Sequence, residues 1–230
     1  MCYAPPVQLI TGQRPLVVGT IARAATLVSF RKPVEPPCHA VEVRLDKLGS
    51  QTTDWLGQSK AIEAQGLPVI VTVRLAAEGG DWKRPDAERA GYFTTALENL
   101  AAIDIELQSR SLPKIAMLAK KLKKTVIVST HDFVKTPSAS SLRDLILEAT
   151  PHASIVKISA MTKTPADIAT LRGLLEQDWG VPLAVMGMGE LGLASRVEFA
   201  KLGSALNYGW LDEPMAPGQP SASELMDKLA

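Results

Sequence analysis

Cysteine, histidine and charge of one sign are all scarce in this chain. Two cysteines in 230 residues, Cys2 and Cys38, do not make a disulfide framework, so both are expected as free thiols. The three histidines, His39, His131 and His152, have no cysteine or carboxylate partners at ligand spacing, which argues against a protein-bound metal. The 25 basic and 24 acidic residues leave a net charge of +1 and are spread along the sequence. Nucleic acid and anionic membranes therefore find no basic footprint. No apolar run approaches the roughly 18 residues of a membrane span. The opening residues lack the basic start and apolar centre of a signal peptide, so a cytoplasmic location is the expectation.

What is present is enough apolar sequence, 46% of residues, for a full core. Short β-branched runs recur at 16–22, 40–46, 68–74, 102–107, 125–130, 153–159, 182–187 and 204–208. Between them, segments 86–100, 112–123, 138–149 and 165–178 carry apolar residues at three-to-four spacing and read as helices. Thr164 before Pro165 is a candidate N-cap, and Ser140 or Ser141 a second. Pro33, Pro36 and Pro37 require any helix after the first strand to be short and to end near Lys32. Eight strands alternating with helices predict a single-domain (β/α)8 TIM barrel over residues 1–230.

Strands of a parallel barrel are covered on both faces and should carry little charge. These break that rule. The second holds Glu42, Arg44 and Asp46 on one face; the third ends in Thr72 and Arg74; the fourth holds Asp104 and Glu106; the fifth delivers His131; the sixth holds Lys157. Most lie in the C-terminal halves of their strands, where barrel active sites form. Burial strips an ammonium of water and favours the free amine, the form that attacks a carbonyl to make an imine. Lys157 is thus a candidate nucleophile and His131 a candidate proton carrier. The structural alternative pairs Lys157 with a core carboxylate, and Glu42, Arg44, Arg74 and Glu106 with one another. Gly79 and Gly80 form a turn that presents Glu78 over the barrel mouth, or an ordinary turn. Gly187 to Arg196 is a glycine-rich lead-in to a helix whose N–H groups could hold an anion, with Arg196 as a carboxylate clamp. The proline-rich segment 212–220 is a lid or a plain connector.

Together, Glu42-Val-Arg44, Thr72-Val-Arg74 with Glu78-Gly-Gly80, Ser129-Thr-His-Asp-Phe133, Val156-Lys-Ile158, Gly189 to Arg196 and Ala216-Pro-Gly-Gln219 resemble the type I 3-dehydroquinate dehydratases, in that family's order. The resemblance implies a (β/α)8 barrel, usually dimeric. It also implies removal of water from 3-dehydroquinate to give 3-dehydroshikimate on the route to aromatic amino acids, with no cofactor and no metal. Lys157 resembles the imine-forming lysine, His131 the proton shuttle and Glu78 the carboxylate that orients it. Glu42, Arg44 and Arg74 resemble the groups that hold the substrate's hydroxyls, Arg196 the carboxylate clamp and Gln219 the lid residue that closes over the substrate. One departure is Met215, which stands where family lids commonly have serine and cannot donate a hydrogen bond, so weaker substrate binding is expected. Rival readings are a class I aldolase, which shares the lysine, and a non-catalytic barrel that binds a metabolite or a protein.

Overall fold

The computed structural model describes residues 8, 9, 12, 15–31, 33, 35–48 and 54–230. Cys2 lies outside the described residues. Eight strands run β1 (Leu16–Ile21), β2 (Ala40–Arg44), β3 (Val69–Thr72), β4 (Ala102–Glu106), β5 (Thr125–Asp132), β6 (Ile155–Met161), β7 (Leu183–Met188) and β8 (Leu206–Trp210). Every ladder is parallel, and the order β7-β6-β5-β4-β3-β2-β1-β8 wraps the sheet into a nearly closed barrel. The last seam is stitched by the Ala205 N–H donating to the Leu183 carbonyl at 2.7 Å and by Ser204 Oγ, which accepts from the Val185 N–H at 2.9 Å. The expected (β/α)8 TIM barrel is what forms.

Helices alternate with the strands: α1 (Ala24–Ser29), α2 (Leu45–Leu48), α3 (Trp55–Glu63), α4 (Arg89–Asn99), α5 (Leu112–Leu122), α6 (Ala139–Ala149), α7 (Pro165–Leu175), α8 (Gly192–Lys201) and α9 (Ala222–Leu229). The helix after β1 is short, as its prolines demand. Thr164 caps α7 in a reciprocal capping box with Asp167. At α6 the cap is Ser138, whose side chain accepts from the Ser141 N–H, and not Ser140 or Ser141. The second strand also ends earlier than expected, at Arg44, because Asp46 lies in the first turn of α2. The third ends at Thr72, which leaves Arg74 just past the ladder.

Alternation along each strand sorts the barrel into layers. Outward residues such as Val41, Val43, Val71, Ile103, Ile105, Val128, Val156 and Val185 pack under the helices with Leu97, Phe93, Ile115, Ile146 and Phe199. Inward residues Val18, Ala40, Ile70, Ala102, Ile127, Ile155, Ala184 and Leu206 close the floor. Two residues further along the same faces stand Thr20, Glu42, Thr72, Asp104, Ser129, Lys157, Met186 and Tyr208, all buried. Every strand but β7 therefore switches from an apolar to a polar inward residue in one step towards its C-terminal end. Burying one ion costs several kcal/mol before pairing, about what one or two fully buried Val or Leu side chains return. The outer core makes that affordable.

Candidate active site

Glu42 sits near the barrel axis at 3% exposure. Its carboxylate accepts from Thr20 Oγ1 at 2.9 Å and Thr72 Oγ1 at 2.7 Å, so both flanking strands hold it through neutral hydroxyls. Asp104 on β4, two strands away, is the hub of a second cluster. Its Oδ2 accepts from Lys157 Nζ at 2.7 Å, and its Oδ1 from Arg74 at 2.7 Å and from Ser129 Oγ at 2.6 Å. Burial works against this carboxylate, but the Arg74 and Lys157 cations overcome it and hold the group well below the usual carboxylate range. Arg74 also pairs with Glu106 at 3.1 Å, and Arg89 meets the other Glu106 oxygen at 2.5 Å. Glu106 is thereby tied to the outer structure and turned from the pocket.

Arg44 makes a two-bond fork to Asp46, at 2.9 and 2.8 Å; burial works to raise the Asp46 carboxyl, but the Arg44 guanidinium overcomes it and leaves the group lowered. The expected mutual neutralisation of Glu42, Arg44, Arg74 and Glu106 is thus realised only as Arg74 with Glu106. The Lys157 alternative, pairing with a core carboxylate, is realised in the Asp104 contact. That does not remove it from the site, because Lys157 still lines the pocket.

Glu78 arrives on a one-turn 3-10 helix, Ala76–Glu78, ended by Gly79 at φ 78°. A Cβ on Gly80 would lie 2.0 Å from the Arg74 carbonyl oxygen, so only glycine permits this turn. The turn aims Glu78 Oε2 at His131 Nδ1, 2.9 Å away. Burial raises the Glu78 carboxyl to about 7. His131 is pushed well below the ordinary imidazole range by burial, with Arg74 and Lys157 adding to the effect. A neutral imidazole held by a carboxyl group, in one pocket with an amine from the adjacent strand, is placed to take a proton from a bound ligand and return it. Phe133 stacks on His131 with the rings 18° from parallel.

Arg196 projects from α8, whose close approach to β7 depends on Gly187: a Cβ there would meet Ser195 Oγ at 2.5 Å. Its NH1 donates to the Tyr208 carbonyl at 3.1 Å, while its buried Nε has no partner among the described residues. Burial lowers its guanidinium to about 10. The glycine-rich lead-in does not form the expected anion cradle with all its N–H groups, because Gly189 N–H donates to the Pro217 carbonyl at 2.9 Å. That bond draws segment 212–220 over the mouth. Asp212 anchors the segment by accepting from the Ala22 N–H at 3.0 Å and the Arg23 N–H at 2.9 Å. Gln219 Oε1 accepts from the Met215 N–H at 2.6 Å, and both side chains line the pocket.

One pocket is lined by all eight residues singled out in the sequence: Glu42, Arg44, Arg74, Glu78, His131, Lys157, Arg196 and Gln219. The readings from sequence gave no role to Asp104, Ser129 or Tyr208. Their signal was present, since each stands two residues beyond an apolar floor residue, but without partners in view that spacing does not separate structural from chemical polarity. Cys38 is buried and unpaired, its thiol pushed by burial to about 11, and it stands apart from these groups.

A parallel barrel that gathers a buried amine, an imidazole and guanidinium groups in one pocket holds the side chains that enzymes of the lysine-imine barrel class use. A family model for type I 3-dehydroquinase matches residues 17–230, and the chain belongs to that family. The 3-dehydroquinate dehydratase of Methanosarcina mazei is 34% identical over 225 residues, covering 93% of each chain. That of Methanocella arvoryzae is 33% identical over 190 residues, covering 82% of this chain and 85% of the relative. The type I 3-dehydroquinate dehydratase of Clostridium difficile superposes with a TM-score of 0.85 at 22% identity, covering 98% of this chain and 95% of that one. The aldolase reading is set aside by this membership.

Proposed function

We propose that this protein removes water from 3-dehydroquinate through an imine on Lys157, giving 3-dehydroshikimate. The observation that carries the reading is the placement of Lys157 Nζ, buried and held at 2.7 Å by Asp104, in the same pocket as His131 and its 2.9 Å contact to Glu78. Lys157 passes its ammonium proton to neutral His131, the freed amine attacks the C3 carbonyl, and the carbonyl oxygen leaves as water as His131 returns the proton, giving an iminium that draws electrons from C2. Neutral His131, steadied by Glu78, takes the C2 proton. The same histidine then protonates the departing C1 hydroxyl, and water hydrolyses the imine to free Lys157. Arg196, with an uncommitted Nε, serves the substrate carboxylate, and Glu42, Arg44 and Arg74 serve the ring hydroxyls.

The lid contributes Gln219, whose amide nitrogen stays available while its oxygen is held by Met215. Met215 itself offers only apolar contact. The proposal extends to one domain over residues 1–230, to a cytoplasmic location and, as the family resemblance implies, to a homodimer; light scattering of the purified chain checks the dimer, and a monomer contradicts it. Turnover is tested by following the ultraviolet absorbance of the conjugated product from 3-dehydroquinate. Wild type turns over and Lys157→Ala loses activity by about a thousandfold or more. A folded wild type without turnover favours the non-catalytic barrel.

A further inference from the structure

Tyr208 on β8 is 4% exposed, its ring packed on the floor with Met186 and Leu206. Lys157 Nζ stands over that ring, 4.0 Å from its centroid, and the tyrosine lines the same pocket. Its hydroxyl nevertheless has no hydrogen-bond partner among the described residues. A buried phenol oxygen without a partner is unfavourable, and phenylalanine would fill the same space without that cost. Burial also drives the phenol well above its ordinary range, with the Asp104 and Glu42 charges adding to the effect, so the group remains a donor.

We infer that the Tyr208 hydroxyl donates a hydrogen bond to the oxygen of the substrate carbonyl that Lys157 attacks. The inference rests on the imine reading of the site and adds a group to which the family resemblance assigns no role. The carboxylate and the ring hydroxyls of the substrate already have Arg196 and the β2 and β3 side chains. The ring of Tyr208 lies instead against Nζ, the atom that bonds to the carbonyl carbon, and the carbonyl oxygen is one bond from that carbon. As the nitrogen–carbon bond forms, the carbonyl π pair moves onto oxygen, which takes a proton from the attached nitrogen to give a carbinolamine. His131, carrying the proton taken from the Lys157 ammonium, gives it to that oxygen, whose departure as water leaves the iminium. A donor already in place stabilises the charge as it develops and serves the hydrolysis of the product imine in the same way.

Tyr208→Phe removes the hydroxyl and keeps the ring against Lys157. Rapid mixing with 3-dehydroquinate, quenching in borohydride and intact mass give the rate of imine formation. The variant is expected to form the trapped adduct roughly 10- to 100-fold more slowly, with kcat lowered by a similar factor and KM changed less than about threefold. Its Tm, read by circular dichroism, stays level or rises, because a partnerless polar atom has gone. An unchanged trapping rate and kcat in a folded variant overturns the inference, and a lowered Tm beside those unchanged rates does so by showing a purely structural hydroxyl. Wild type that forms no adduct overturns the imine reading first, an outcome distinct from a wild type that traps and a variant that traps equally fast.

Discussion

Asp104 holds two buried cations, Lys157 and Arg74, with one carboxylate and a serine hydroxyl. Removing its charge strands both. Asp104→Asn is expected to destabilise by about 3 kcal/mol or more, a fall in Tm of roughly 6–12 °C for a chain of this size. Thermal melts check it; a shift under about 2 °C would show that the cations find other partners. Lys157→Ala, by contrast, leaves Asp104 paired with Arg74, so it should fold and remain a clean control. His131 must be neutral to accept a proton, and its displacement below the ordinary imidazole range puts the acid limb of kcat/KM below pH 6.5. His131→Ala should lower kcat by about 10²–10⁴-fold and abolish that limb. A limb above pH 7 in wild type would contradict the assignment. Most of these residues were legible in the sequence as charges out of place in apolar strands. Asp104 was seen but not assigned, because its importance lies in which side chains the barrel brings to it from β3, β5 and β6.

Helix and strand identities followed from period and punctuation, and the errors fall at element ends. Asp46 reads as strand because it continues the alternation of Glu42 and Arg44, yet its carboxylate does more by folding back to grip Arg44 from the first turn of α2. Ser138 caps α6 although Ser140 and Ser141 are equally suited by type, since only Ser138 has the extended backbone a cap needs. Segment 212–220 was legible as a lid or a connector, but its closed position was not decided by the sequence, because it depends on two glycines far apart in the chain. Gly218 adopts φ 70°, and a Cβ on it would come within 1.9 Å of the Gly189 carbonyl oxygen. Gly218→Ala is therefore expected to lift the segment and raise KM about tenfold or more while kcat falls less, as steady-state kinetics would show. A KM within twofold of wild type would mean that the segment is a connector and not a lid. Met215→Ser restores a donor to the same segment and should lower KM by several-fold at unchanged kcat.

Across the whole molecule, the site's polarity makes folding depend on pH through several groups with opposite signs. Asp104 and Asp46 have lowered folded-state values, so their contribution is fully present above pH 3.8 and is lost as pH falls below it. Glu78 is raised from 4.5 to about 7, so its effect on stability is favourable at low pH and fades between those values as pH rises. His131 is lowered, so stability is lost as pH drops below 6.5, where the unfolded chain takes up a proton that the folded chain refuses. The Tm of His131→Ala relative to wild type should accordingly be more favourable at pH 5.5 than at pH 8; the reverse order would contradict the buried neutral imidazole. The barrel itself was readable because eight β-branched runs and a parallel sheet leave few topologies. The most direct measurement of the account is intact-protein mass after borohydride treatment in the presence of 3-dehydroquinate, for wild type and Lys157→Ala. An adduct on wild type that is absent from the variant is the predicted result. No adduct on a folded wild type, or an equal adduct on both, would contradict an imine at Lys157.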